Sequence, residues 1–239
     1  MNRIIMTPLV GTIAAAALVA GVGVPAFAST STPTPSTKTT HTLVSVQAAA
    51  KTATDKRATA LSAAIAKLDA AKGITGSDKA TLMDRLNTDL AGMKTVGAKV
   101  AADTTLAAAS ADFTTIFTTY RVFAVAIPQA RIVAGIDRAI SMEIPQLTVS
   151  QTKLAAKLAG KDVSKSTAAL QSDLADMKTQ IAAANTALSG ASAKVLAITP
   201  ADFNSNKTVV TSARASVKAA ENALKQARAD RKAIITALK

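Results

Sequence analysis

The sequence predicts an all-α protein, an elongated antiparallel helical bundle or coiled coil built from two duplicated three-helix units. Three observations predict it: an alanine-rich composition with only 3% aromatic residues, apolar residues spaced by three and four, and a segment that recurs later in the chain. Alanine has the highest helix propensity and lets helix backbones approach closely. Because each alanine buries little apolar area, we expect long, thin helices that pack along their whole length.

Residues 1–28 have the pattern of a cleaved signal peptide. Arg3 precedes a long apolar run, and Ala26-Phe27-Ala28 has the small-x-small spacing that a signal peptidase requires. Cleavage after Ala28 predicts a protein that is secreted or associated with the cell wall. No later apolar segment is long enough to span a bilayer, so we expect no transmembrane segment after cleavage. Residues 29–42, rich in Ser, Thr and Pro, are predicted to form a disordered linker.

Capping signals divide the rest of the chain into helices. Gly73 predicts a helix stop, and Thr75 predicts a helix start because Asp78 follows three positions later. Thr199 and Asp202 repeat this signal around a first-turn proline. The predicted helices are 43–72, 76–107 and 110–126 in a first unit (43–127), then 128–159, 162–197 and 200–238 in a second unit (128–239).

The clearest periodicity lies in the second unit. Apolar residues alternate by four and three at Leu170, Leu174, Met177, Ile181, Ala184, Leu188, Ala191 and Val195. The last predicted helix carries a seven-residue repeat, broken only at Arg231, formed by Phe203, Val210, Val217, Leu224 and Leu238, with Ala213, Ala220, Ala227 and Ile234 beside it. A sustained 3.5-residue period is typical of supercoiled helices. The apolar seams are buried either against other helices of the same chain or by self-association of two chains.

One segment is present in both units. Residues 86–95 (LNTDLAGMKT) match residues 170–179 (LQSDLADMKT), which indicates an internal duplication. The third helix of the first unit is expected to be short, because the β-branched residues of 118–127 favour extended backbone and Pro128 disfavours helix at Ile127. Pro145 is expected either to kink or to split the fourth helix.

A short motif in the first unit carries a resemblance. The tetrapeptide Tyr-Arg-Val-Phe at 120–123 is followed by Pro128 and Arg131. On this motif, residues 43–158 resemble exported, Ala/Lys/Thr-rich helical proteins of high-GC Gram-positive bacteria. The resemblance implies an envelope or secreted setting and supplies no catalytic residues.

Aromatic and arginine residues cluster between positions 113 and 138. Three of the aromatic residues share one helical face by their spacing, and tyrosine and arginine are favoured at contact surfaces. The candidate patch for binding a partner or polymer consists of Phe113, Phe117, Tyr120, Arg121, Phe123, Arg131 and Arg138. The alternative is an aromatic plug that fills the gap where alanine packing fails and the chain reverses.

Residue chemistry argues against catalysis. The chain has no cysteine, and its single histidine, His41, lies in the linker. Asp84 and Asp89 are five positions apart and are expected to diverge on a helix. Metal-ligand spacing, phosphate-binding glycine loops and nucleophile motifs are absent from the sequence. We therefore predict no enzymatic activity, no catalytic residues, no cofactor and no bound metal.

Charge points to the class of ligand. The net charge is +13 for the full chain and +12 once residues 1–28, with Arg3, are removed, and it creates a field that attracts anionic polymers. The leading hypothesis is an exported, non-enzymatic helical rod of the bacterial cell envelope, either structural or binding anionic wall polymers through its basic surface. The alternative is an adhesin-like or accessory module that binds an envelope protein through residues 113–138. Nucleic acid is not an expected partner, because an exported chain does not meet chromosomal DNA.

Overall fold

A computed structural model describes residues 41–239 of the chain. The predicted signal peptide, its cleavage site after Ala28 and residues 29–40 of the predicted linker lie outside the described residues. Residues 41–239 form helices and connecting turns without any strand, which confirms the all-α prediction. The helices are α1 (Leu43–Asp69), α2 (Gly76–Ala102), α3 (Leu106–Thr118), α4 (Ile127–Arg138), α5 (Ile144–Ala159), α6 (Ala168–Leu188), α7 (Ala191–Leu196), α8 (Pro200–Ser205) and α9 (Val209–Ala237).

Threonine side chains cap the starts of many of these helices. The hydroxyls of Thr75 and Thr199 accept hydrogen bonds from the amides of Asp78 and Asp202, as the sequence predicts. The same role falls to Thr42 in α1, Thr105 in α3 and Thr167 in α6. Each cap satisfies an amide that the first helical turn would leave without a partner.

Two π-helical turns carry the chain through its isoleucine–proline pairs. The turns Val122–Ala126 and Ala139–Glu143 lead directly into Ile127-Pro128 and Ile144-Pro145, and each isoleucine amide bonds to the carbonyl five residues back. Proline lacks an amide hydrogen and its ring clashes with the carbonyl four residues earlier, and a widened turn accommodates both defects. The expectations of extended backbone over 118–127 and of a non-helical Ile127 are therefore wrong, and Pro145 does not split its helix.

Five of the six predicted helices end early or are interrupted. The first and second end at Asp69 and Ala102 instead of residues 72 and 107. The third ends at Thr118 instead of residue 126, since Arg121 adopts a left-handed conformation with φ of 47°. Gly190, with φ of 66°, separates α6 from α7. Asn206 ends α8, where its side-chain oxygen accepts hydrogen bonds from the amide and hydroxyl of Thr208. The predicted single helices 162–197 and 200–238 are therefore each divided, and the first of them begins as an α-helix only at Ala168, after a short 3₁₀ turn at Val163–Lys165.

The predicted apolar seams form the core. In α6 and α7 all members of the four–three repeat are buried, namely Leu170, Leu174, Met177, Ile181, Ala184, Leu188, Ala191 and Val195. In α9, Val210, Ala220, Leu224, Ala227 and Ile234 are buried, whereas Arg231 is exposed. The seam of α9 packs mainly on α6, and α1 packs mainly on α2. These residues belong to one hydrophobic cluster that extends through all the long helices.

Helices α1 and α2 run in opposite directions. Near the start of α1, the side-chain amide of Gln47 donates to the carbonyls of Val100 and Asp103, 3.3 and 3.0 Å away at the end of α2. At the other end, the Lys79 ammonium of α2 donates to the carbonyl of Asp69. The elongated bundle as a whole, its duplication and the division at residue 127 remain predictions. None of the helices between residues 41 and 239 has the length and hydrophobicity needed to cross a membrane.

Candidate functional site

A groove of about 400 Å³ lies between α1 and α4. Its apolar lining includes the buried side chains of Leu68, Ile127 and Ala130, and the 44% exposed ring of Phe123 lines it as well. The charged side chains of the lining are those of Lys67, Arg131 and Arg214, all exposed. We call this cavity, with its apolar floor and its three cations, the basic groove.

The cations of the basic groove are not neutralised by the protein. No carboxylate lines the groove, and none of the ion pairs or side-chain hydrogen bonds formed within residues 41–239 involves Lys67, Arg131 or Arg214. A cleft with charge of one sign and low-dielectric walls concentrates the field inside it. The positive charge of these side chains is therefore directed to solvent and to any anion that enters.

The positive surface continues beyond the basic groove. A second cavity of about 400 Å³ shares Arg131 and Arg214 with it and adds Lys218 and Glu221. Within this cavity Glu221 lies 3.9 Å from Lys218, so its charge is directed at that lysine. The two cavities are therefore neighbours along the line where α4 meets α9.

A third cavity, of about 230 Å³, extends the same line. It shares Glu221 with the second cavity and is lined by Arg138, Glu143 and Arg228. The Arg138 guanidinium lies 3.8 Å from one oxygen of Glu143, and that of Arg228 donates to the other oxygen. Glu143 thus faces two guanidinium groups, and with Glu221 the lining of this cavity contains two cations and two carboxylates, so the excess of positive charge is confined to the first two cavities.

The predicted aromatic patch is only partly assembled on one helix face. The rings of Phe113 and Phe117 meet edge to face with centroids 5.2 Å apart, as their spacing on α3 predicts. Tyr120 lies beyond the end of α3 and packs against Gly92 of α2 instead. The expectation that Tyr120 shares the face of Phe113 and Phe117 is therefore wrong, because the helix ends before it.

Arg57 of α1 is a member of the aromatic surface that sequence reasoning missed. Its guanidinium carbon lies 4.5 Å from the ring centroid of Phe117 and 5.2 Å from that of Phe123. It also donates to the carbonyl of Ala53 over 3.0 Å, and burial lowers the pKa of the Arg57 side chain. No local pattern reveals this contact, since Arg57 and the phenylalanines lie on different helices.

Arg121 is directed away from this surface. Its Nε donates to Oδ1 of Asn204 over 2.7 Å, and its guanidinium carbon lies 5.4 Å from the ring centroid of Phe203. The side-chain amide of Asn204 in turn donates to the carbonyl of Thr118 over 2.9 Å. Arg121 therefore joins α8 to the end of α3, while Arg131 and Arg138 line the cavities along α4.

Asp84 and Asp89 both lie in α2, where Asp84 is exposed and Asp89 is partly buried. Both line a further cavity of about 350 Å³, together with Tyr120 and Thr199. Burial raises the pKa of Asp89 to about 6, and the nearby Arg85 guanidinium opposes part of that rise. Neither carboxylate forms a side-chain hydrogen bond with another group between residues 41 and 239.

Neither a metal-binding arrangement in the described residues nor a relationship to known proteins identifies a function for these cavities. Among the residues that the structure describes, no three or more His, Cys, Asp or Glu side chains are arranged to hold a metal ion. Comparisons with protein-family models, curated proteins and solved structures found no match to this chain.

Proposed function

We propose that this chain is an exported, non-enzymatic helical protein of the bacterial cell envelope that binds an anionic wall polymer along the basic groove. The observation that carries the proposal is the set of unpaired cations, Lys67, Arg131 and Arg214, around one cavity. The signal-peptide pattern of residues 1–28 supports export, and the net charge of the exported chain, +13 less the one charge of Arg3 or +12, supports an anionic partner.

The adjoining cavities favour a polymer over a small anion. Arg131 and Arg138 are exposed on α4 one heptad apart, and Arg214 and Lys218 follow one another at one helical turn on α9. An extended polyanion meets these cations in succession, although Arg138 and Lys218 already face Glu143 and Glu221 and only Arg131 and Arg214 have no carboxylate partner within residues 41–239. Each exposed contact contributes only about 0.5 kcal/mol, so useful affinity depends on several contacts acting together.

Retention of the exported chain, residues 29–239, on isolated cell walls at rising salt tests the proposal. The variant Lys67→Gln/Arg131→Gln/Arg214→Gln removes the charges of the basic groove. Losing three contacts is expected to weaken binding about tenfold at low salt and to reduce its salt dependence. The matched control is Lys153→Gln/Lys178→Gln/Lys232→Gln, which removes three exposed charges that line none of the described cavities.

Two results would overturn the proposal. Retention that does not weaken with salt excludes an electrostatic mechanism. Equal losses in the groove variant and the control variant show that overall charge attracts the polymer and that the basic groove has no special part. Circular dichroism and thermal melts of each variant establish that the fold is intact.

A second candidate function is a partner-binding module that uses residues 113–138. It is favoured by Phe117 and Phe123, which are 37% and 44% exposed on either side of Arg57. A pull-down from the envelope fraction tests it with Phe117→Ala/Phe123→Ala. The control is Val149→Ala, which removes an apolar side chain that is 53% exposed on α5. Capture of the same proteins by all forms excludes this function.

A further inference from the structure

The composition of the basic groove is not that of a purely electrostatic site. A polyanion requires cations at the surface, yet Leu68, Ile127 and Ala130 form a buried apolar floor below them. Phe123 adds an aromatic ring to the same cavity, and Arg57 lies 5.2 Å from the centroid of that ring. The groove therefore presents two different surfaces to a ligand, one apolar and one cationic.

We infer that the basic groove binds a single-chain amphiphile with a phosphate headgroup. The acyl or alkyl chain lies on the apolar floor between α1 and α4, and the phosphate contacts Lys67, Arg131 and Arg214. The inference rests on the proposed function, because the same three cations hold the anion. It adds that the ligand carries a hydrocarbon chain.

Charge complementarity selects this occupant. The lining of the groove contains cations but no carboxylate, so a neutral or cationic amphiphile lacks a partner for the charged side chains. The planar guanidinium of arginine donates two parallel hydrogen bonds to the oxygens of a phosphate, and two of the three cations are arginines. A free phosphate satisfies the cations but leaves the floor of the groove in water.

The size of the cavity suits one hydrocarbon chain. Its volume of about 400 Å³ lies within the range of about 300–1,000 Å³ that is common for small-molecule sites. Each buried methylene group strengthens binding by about two- to fourfold, so affinity is expected to rise with chain length until the groove is full. The affinity of a purely electrostatic site does not rise with the length of the hydrocarbon chain.

Calorimetric titration of the exported chain with a series of alkyl phosphates tests the inference. Butyl, octyl and decyl phosphate are compared with inorganic phosphate and with decyl maltoside, all below their micellar concentrations. We expect decyl phosphate to bind at one site per chain, at least about tenfold more tightly than inorganic phosphate or decyl maltoside. The lengthening series needs no variant, so it decides the question even where a substituted protein fails to fold.

A matched pair of variants locates the site. Ala63→Phe places a ring in the groove from an exposed position, whereas Ser62→Phe adds the same ring at the neighbouring exposed position, which does not line the groove. Ala63→Phe is expected to weaken decyl phosphate binding about tenfold relative to Ser62→Phe. Polyphosphate binding is measured separately in the Lys67→Gln/Arg131→Gln/Arg214→Gln variant, because it depends on the three cations.

The results separate this inference from the proposed function. Equal affinity for inorganic and decyl phosphate, or equal effects of the two phenylalanine variants, overturns the amphiphile site. If the Lys67→Gln/Arg131→Gln/Arg214→Gln variant nevertheless loses polyphosphate binding, the proposed polymer binding stands without the amphiphile site.

Discussion

The ring of Tyr120 lies against Gly92 so closely that a Cβ atom at residue 92 would be 2.2 Å from Cε1 of the ring. Glycine inside a helix costs about 1 kcal/mol relative to alanine. The contact with Tyr120 accounts for its presence in the middle of α2. In the related segment of α6, the equivalent position is occupied by Asp176.

We expect Gly92→Ala to destabilise the protein by about 1–3 kcal/mol, because overpacking against Tyr120 outweighs the gain in helix propensity. Chemical unfolding monitored by circular dichroism measures the change. Gly135→Ala is the control, since an added Cβ there has no heavy atom within 4 Å. That variant is expected to stabilise the protein by about 0.5–1 kcal/mol. Stabilisation by both substitutions contradicts the Tyr120 contact.

The helical core was predictable because its signals are local. The repeat from Leu170 to Val195 identifies buried residues by spacing alone, and every member is buried. The break at Gly190 was not predictable from this repeat, because the apolar spacing continues across it without a miss. The π turns before Pro128 and Pro145 were missed for a different reason. In these turns the amide before each proline bonds to the carbonyl five residues back, and the preferences of residues next to proline do not distinguish this arrangement from the end of a helix.

The candidate site was less predictable, because it joins distant parts of the chain. Arg131 was selected because it lies in the aromatic segment. Lys67 and Arg214 belong to α1 and α9, and no sequence pattern around them distinguishes them from other basic residues. Only the packing of three helices brings their charges to one groove. The side chain of Arg121 was selected by the same proximity in sequence, yet tertiary contacts direct it to Asn204.

Stability is expected to fall as the pH rises from about 4 to 6 because of Asp89. Its folded pKa of about 6 lies above the ordinary value of 3.8, so the folded state binds the proton more tightly than the unfolded state. Stability from this group is therefore greatest below that window and lowest above it. Allowing for partial exposure, the difference is about 1–2 kcal/mol.

The variant Asp89→Asn is expected to remove this contribution and to flatten the pH dependence of the melting temperature. Asp84→Asn is the control, as it changes the net charge equally at an exposed position in the same cavity. Burial also raises the pKa values of Asp78 and Asp230, so part of the slope remains in both variants. An identical pH profile for the two variants contradicts the assignment to Asp89.

Gln129 is expected to be essential for attaching the end of α7 to α4. Its buried side-chain amide donates to the carbonyls of Val195 and Ile198 over 2.7 and 3.0 Å, and its oxygen accepts from Arg85 over 3.2 Å. Carbonyls at a helix end have no partner within the helix. Gln129→Leu leaves the Ile198 carbonyl without a donor, whereas the Val195 carbonyl keeps the backbone amide of Ile198, so the expected cost is about 1–2 kcal/mol in the free energy of unfolding.

The loss should be local as well as global. Hydrogen exchange of the amides in α7 is expected to accelerate more in Gln129→Leu than exchange in α1. Gln146→Leu, at an exposed position of α5, is the matched substitution and is expected to change stability by less than about 0.5 kcal/mol. Equal stability of the two variants would show that the buried hydrogen bonds of Gln129 make no net contribution to the free energy of unfolding.

Arg121 allows a structural role to be separated from a binding role. Its φ of 47° is unfavourable for any residue with a Cβ, whereas glycine adopts it without that penalty. Arg121→Ala and Arg121→Gly both lose the 2.7 Å hydrogen bond to Asn204, but only glycine relieves the backbone strain. We therefore expect Arg121→Ala to be destabilised by about 0.5–1 kcal/mol and Arg121→Gly to be more stable than Arg121→Ala by about 1 kcal/mol.

Both Arg121 variants are expected to bind cell walls as tightly as the natural chain, because Arg121 does not line the basic groove. Urea unfolding gives the stability order, and salt-dependent retention gives the binding. A folded Arg121→Gly protein that loses retention would place Arg121 in the binding surface. Such a result favours the partner-binding interpretation of residues 113–138, since it separates the loss of the guanidinium from any loss of the fold.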